Sequence, residues 1–134
     1  MKSRLVSRAP AGVRVVILDS GEEAFAALTK FVNDEKLSAA SLTAIGAFER
    51  ATIGWFDLAA KSYRKIEVNE QCEVLSGLHV HVVLGLSDGT TRGGHFLSGI
   101  VRPTLEVVLT EAPATLRRRK RPELGIALVD PGAG

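Results

Sequence analysis

The stretch from Leu78 to Val101, LHVHVVLGLSDGTTRGGHFLSGIV, constrains the fold most, because two apolar segments flank a short polar turn. Leu78 to Leu86 is rich in Val and Leu and has no helix cap, so it reads as a strand. Ser87-Asp88-Gly89 reads as a hairpin turn, with a second strand starting near Thr90. The stretch also holds every histidine of the chain: His79, His81 and His95.

Side chains alternate along a strand, which sends His79 and His81 to one face with α-carbons ~7 Å apart. The direction of His95 depends on the turn. A two-residue Asp88-Gly89 turn pairs Ser87 with Thr90, sets Val82 opposite His95 and sends that histidine to the other face. A three-residue loop, a type I turn followed by Gly89 in the left-handed conformation, pairs Leu86 with Thr90 instead. It places His81 directly opposite His95, and such cross-strand neighbours sit ~5 Å apart on one face. A bulge at Gly93-Gly94 would shift the count by one, so both registers stay open.

In the second register the three imidazoles converge. Three neutral imidazoles with a fourth position left for water suit a divalent transition metal, zinc being the usual occupant with Zn–N bonds of ~2.0–2.1 Å. An HxH in a strand followed by a later His is also the pattern of three half-buried polar residues with no ligand at all.

The length of 134 residues is that of one domain able to bury a core without staples. Apolar residues at 46% and charged ones at 24% are ordinary for a globular protein. Cys72 stands alone and can form no internal disulfide. No secretory signal or membrane-spanning apolar run is present, so a cytoplasmic location and no membrane partner are expected. A formal net charge of +2 does not demand a polyanionic partner, but Arg117-Arg118-Arg119-Lys120-Arg121 concentrates positive charge, as do Lys2, Arg4 and Arg8.

Val13 to Leu18 is dense in β-branched residues and reads as a first, buried strand. Ser20 followed by Glu23 is a capping-box pattern, and Ala24, Phe25, Leu28, Phe31 and Val32 recur at helical spacing. A helix over 21–34 with one apolar face on a sheet is expected. Leu42 to Phe48 reads as a strand in which Gly46 marks a bulge or a close backbone approach. Ala51 to Leu58 and Tyr63 to Val68 read as a strand pair, with Trp55 and Phe56 on opposite faces. Cys72 to Leu75 begins a strand that runs through Ser76-Gly77 into the histidine hairpin. Thr104 to Thr110 and Leu124 to Val129 supply the last two. The result is an α+β fold, a mostly antiparallel sheet of about seven strands with one long helix packed on it. A basic segment over 1–12, a domain over 13–111, and a basic segment with a last strand over 112–134 are the expected divisions.

Gly21-Glu22-Glu23, Ala44-Ile45-Gly46-Ala47, Glu73-Val74-Leu75-Ser76-Gly77, His79-Val80-His81-Val82, Asp88-Gly89, Gly93-Gly94-His95 and Thr104-Leu105-Glu106-Val107 together resemble the PPC domain, the plant and prokaryote conserved domain. The resemblance spans roughly Val13 to Glu111. It implies an α+β domain that assembles as a homotrimer, fused to AT-hooks in plant nuclear DNA-binding proteins and standing alone in bacteria without a settled activity. It also implies a metal held by the histidines of the HxH and GGH motifs, which fall here on His79, His81 and His95. The domain is similar in fold to part of acetolactate decarboxylase, a three-histidine zinc enzyme; that analogy does not carry function.

Two departures stand out. Ser76-Gly77 leads straight into Leu78-His79, where family members have a longer segment that returns the chain through a turn, so the pairing around Cys72 to Val83 is open to change. No AT-hook is present, Lys120-Arg121-Pro122 being the nearest match to its Arg-Gly-Arg-Pro centre. The reading is therefore a metal-binding protein with an open coordination position, suited to a small carbonyl or carboxylate ligand. Glu106, in an apolar strand where an unpaired carboxylate is costly, is the candidate acid, base or supporting carboxylate, with Glu73 behind it. The alternative is a DNA-binding module acting non-specifically through the basic surface at 117–121, although such charge runs are usually solvated and disordered.

Overall fold

The computed structural model describes residues 12–78, 81–111 and 117–130. In chain order the elements are β1 (Val13–Asp19), α1 (Ala24–Asp34), β2 (Ala40–Asp57), β3 (Ser62–Val68), β4 (Cys72–Leu78), β5 (His81–Gly85), β6 (Thr91–Glu111), β7 (Arg117–Arg121) and β8 (Ile126–Asp130). Among the described residues they form a six-stranded sheet in the order β1-β6-β5-β4-β2-β3 and a separate β7-β8 ribbon. Because β6 also pairs with β2, strands β2, β4, β5 and β6 close into a ring. Every pairing is antiparallel.

The expected one-helix, mostly antiparallel architecture is present, but the strands divide differently. The strands expected over Leu42–Phe48 and Ala51–Leu58 form one long strand, β2, which ends at Asp57 and keeps its pairing with β6 through register shifts between Gly46 and Phe48, Phe48 and Arg50, and Thr52 and Ile53. Gly46 adopts φ +140°, and a side chain there would lie 2.3 Å from the Thr104 carbonyl oxygen. Both the expected bulge and the expected close approach therefore fall at this residue. The second hairpin strand and Thr104–Thr110 likewise merge into β6, whose early half pairs with β5 and whose late half pairs with β1.

The helix starts at Ala24, three residues later than the capping-box reading. The backbone of residues 21–23 is already engaged with β6: Gly21 N–H donates to Val101 O (2.8 Å) and Val101 N–H to Glu22 O (2.9 Å). Glu23 is the cap instead, its carboxylate accepting from Phe25 N–H (3.2 Å), Ala26 N–H (2.7 Å) and, across the fold, Gly99 N–H (2.9 Å). One carboxylate thus satisfies the open end of the helix and ties it to the sheet.

Core side chains come from both: Leu18, Ala24, Phe48, Ile53, Leu84, Val101, Leu105 and Val107 are buried, with Leu28 and Phe96 packed against them. The basic run, expected as a solvated tail, is strand β7. It pairs with β8 from Arg117↔Asp130 to Arg121↔Ile126. Among the described residues no helix is long and apolar enough to cross a membrane.

Candidate metal centre

The turn that orients the histidines is the three-residue loop. Leu86 N–H donates to Thr90 O (2.9 Å), Gly89 N–H to Leu86 O (2.9 Å), and Gly89 has φ +81°. Asp88 braces it by accepting from the Thr90 hydroxyl (2.7 Å) and N–H (2.9 Å). These bonds, the hydroxyl's foremost, hold the Asp88 carboxyl below its ordinary pKa. The register that follows is His81↔His95, with no shift at Gly93-Gly94.

The two imidazoles lie edge to face with ring centroids 5.1 Å apart. Two imidazoles bound to one tetrahedral zinc at ~2.0–2.1 Å have ring centroids roughly 5 Å apart. The ring spacing of the observed pair is that of two positions of such a site. Val82 is buried and His81 exposed, so alternation puts the pair on the face of the sheet turned away from the core.

His79 lies outside the described residues. The expected single strand over Leu78 to Leu86 is not observed: β4 ends at Leu78 and β5 begins at His81. Leu78 pairs with His81 and Gly77 with Val82, so the two are antiparallel neighbours. Their pairing carries a single shift, between Val74 and Ser76. Among the described residues alone, no three His, Cys, Asp or Glu side chains gather around one metal position.

Glu106 is not near the pair. It stands opposite Ile17 and Ile45 in the late half of β6, eleven residues beyond His95, and its side chain is exposed. At ~3.3 Å per residue the two positions are roughly 35 Å apart along the strand. Glu73 is exposed on β4 opposite Gly85 and Ala47. Cys72 is 1% exposed, and burial first, then the charge of Glu70, pushes its thiol pKa up. It is an inert core residue rather than a ligand.

The residue missed by the sequence reading is Tyr63. Its hydroxyl lies 3.3 Å from His95 Nδ1, with the two rings 4.6 Å apart. The link crosses two strand pairings, Tyr63↔Phe56 and Gly54↔His95, which no spacing in the sequence announces. The one available signal was Gly54 between the bulky Ile53 and Trp55: a side chain there would come within 2.9 Å of the Tyr63 ring.

A small antiparallel β domain with one capping helix and a cross-strand histidine pair on its outer face is the class defined by this geometry. The chain belongs to the Plants and Prokaryotes Conserved (PCC) domain family, whose model matches residues 7–113. It is similar to a metal-containing protein from Archaeoglobus fulgidus, at 28% identity and TM-score 0.82 over 95% of this chain and 99% of that one. It is similar also to a plant- and prokaryote-conserved (PPC) protein of Pyrococcus horikoshii, at 26% identity and TM-score 0.83 over 97% of each chain. A candidate DNA-binding protein from Bacteroides thetaiotaomicron shares the fold at 24% identity and TM-score 0.81, over 91% of this chain and 98% of that one. Comparison with curated proteins gives no match.

Proposed function

We propose that this chain binds a divalent transition metal, zinc foremost, through His79, His81 and His95, leaving one coordination position for a small carbonyl or carboxylate ligand. The observation that carries the reading is the His81–His95 pair, set directly across two strands at the ring spacing of two zinc ligands. The Archaeoglobus relative, described as metal-containing, supports it. A metal held there would lower the pKa of a bound water or polarise a carbonyl. The chain's own part is to fix the imidazoles on a rigid hairpin. Untagged protein purified without a metal column is expected to carry about one metal per chain, and His81→Ala to lose it while keeping its circular dichroism. A wild type that neither holds metal nor takes it up on titration sinks the proposal.

The reading includes a homotrimer. Val13, Val15 and Ile17 on β1, Val108 on β6 and Ile45 on β2 share an exposed face, with Glu106 between Ile17 and Ile45. Such a patch supports the reading of this face as a contact between copies of the chain. Sedimentation velocity is expected to give three chains per particle, and Val15→Asp, on a residue 66% exposed, to give one. A monomeric wild type would rule out assembly.

A second reading, non-specific DNA binding, is favoured by the β7–β8 ribbon. It exposes Arg118, Arg119 and Lys120, and the Pro122 carbonyl at its turn accepts from Lys61 Nζ (3.2 Å) on the β2–β3 turn. Trp55, two residues before the end of β2, is 52% exposed with the Arg64 guanidinium 5.3 Å above its ring. The sequence shows no aromatic among the basic residues 117–121; the fold supplies an exposed aromatic with its own cation, Arg64, on the β2–β3 hairpin whose turn touches the ribbon. Trp55 is the sole tryptophan, so its fluorescence is expected to quench as an oligonucleotide is titrated at low salt and to recover as salt is raised. Unchanged emission together with unchanged DNA mobility in a low-salt gel shift would eliminate this reading.

A further inference from the structure

We propose that Tyr63 is a positioning residue for His95. Its phenolic oxygen accepts the Nδ1 proton and leaves the ring's lone pair on Nε2, the tautomer through which a divalent metal binds. The use of that tautomer rests on the metal reading above, whereas the tautomer itself does not.

The contact is built into the fold. Tyr63 leans across β2 over Gly54, where a β-carbon would lie 2.9 Å from its Cδ1 and 3.3 Å from its Cγ. Phe56 meets the ring edge-on at 5.0 Å, and His95 lies tilted by 30° at 4.6 Å, so the phenol is held between the two. Gly94 lets β6 approach β2 next to His95, since a β-carbon there would sit 2.7 Å from the Gly54 carbonyl oxygen. Gly54 thus clears the path along which the hydroxyl reaches the ring nitrogen, and Gly94 permits the close strand approach that sets the ring there.

A phenol can donate or accept, and the partner of one imidazole nitrogen decides where the ring proton sits. Tyr63 is 38% exposed, so its own proton can go to water while an oxygen lone pair faces Nδ1. Acceptance by a neighbouring oxygen is how ligating histidines are commonly oriented, and loss of such a partner typically weakens metal binding ~10–100-fold.

The test reads the tautomer in metal-free protein labelled with ¹⁵N-histidine, by long-range ¹H–¹⁵N correlation at a pH where imidazole is neutral, with His95→Ala to assign the signal. The expected result is a protonated Nδ1 on His95. In Tyr63→Phe the proton should move toward Nε2, and zinc affinity should fall ~10–100-fold with unchanged circular dichroism. Gly54→Ala, which keeps the hydroxyl but displaces its ring, should show the same tautomer change. A wild-type His95 protonated on Nε2, or a tautomer unaltered in Tyr63→Phe, overturns the proposal. A wild type that shows the Nδ1–H tautomer yet takes up no zinc upholds it and overturns the metal reading instead.

Discussion

Gly46→Ala is expected to destabilise the protein by about 3 kcal/mol or more, among the largest single effects available in this chain. Two costs combine. A φ of +140° is a region that residues with a β-carbon rarely occupy, which costs ~1–3 kcal/mol. The new methyl would also lie 2.3 Å from Thr104 O and 2.9 Å from Leu105 Cα, backbone atoms of β6 that cannot swing aside, and forcing them apart costs a further ~1–3 kcal/mol. Gly89→Ala separates the two terms. Its φ is +81° but nothing lies within 4 Å of the position a β-carbon would take, so roughly 1–2 kcal/mol of backbone strain is expected there alone. Denaturant unfolding of both variants measures the difference; equal midpoints would mean that the β2–β6 approach relaxes freely.

Phe48→Ala is expected to cost about 3–5 kcal/mol. Phe48 is 2% exposed and stacks on Phe96 with centroids 5.4 Å apart and planes 13° from parallel. It also lies against Gly99, where even a β-carbon would be 3.1 Å from its ring. Truncation leaves a void in the core beside Phe96, under strands whose backbone pairing limits how far they can close on it. Phe25, on the helix surface and 41% exposed, touches the same Phe96 at 6.4 Å, and Phe25→Ala should cost less than half as much. The urea midpoint at unchanged slope reads both. A Phe48→Ala loss no larger than that of Phe25→Ala would place the core elsewhere.

Much of this was legible because it is local. The strand read over Val13 to Leu18, the apolar face of α1 and the turn at Ser87-Asp88-Gly89 each follow from residues within a few positions of one another, but the strand expected to be buried leaves Val13, Val15 and Ile17 exposed at the edge of the sheet. The loop matters most, since its length alone decides whether His95 opposes His81 or Val82. The helix start was misread for a non-local reason: β6 claims the backbone of residues 21–23 before the capping box can use it. Residues 117–121 read as a solvated charge run because charge repulsion is visible in sequence and the partner strand's backbone bonds are not.

Turn chemistry and side-chain alternation act over short distances, so the class of fold, the family and both candidate partners of His95, His81 and Val82, could be read from the residues alone. The tertiary structure chose His81 over Val82 as the partner of His95, joined two pairs of expected strands into single long ones, and set Leu78 opposite His81 as the ends of two separate strands. It alone set Glu106 half a strand away from the histidines and brought Tyr63 to His95 across Gly54. Those outcomes depend on which strands lie side by side, and the closing of β6 onto β2 joins residues tens of positions apart whose separate preferences do not mention one another.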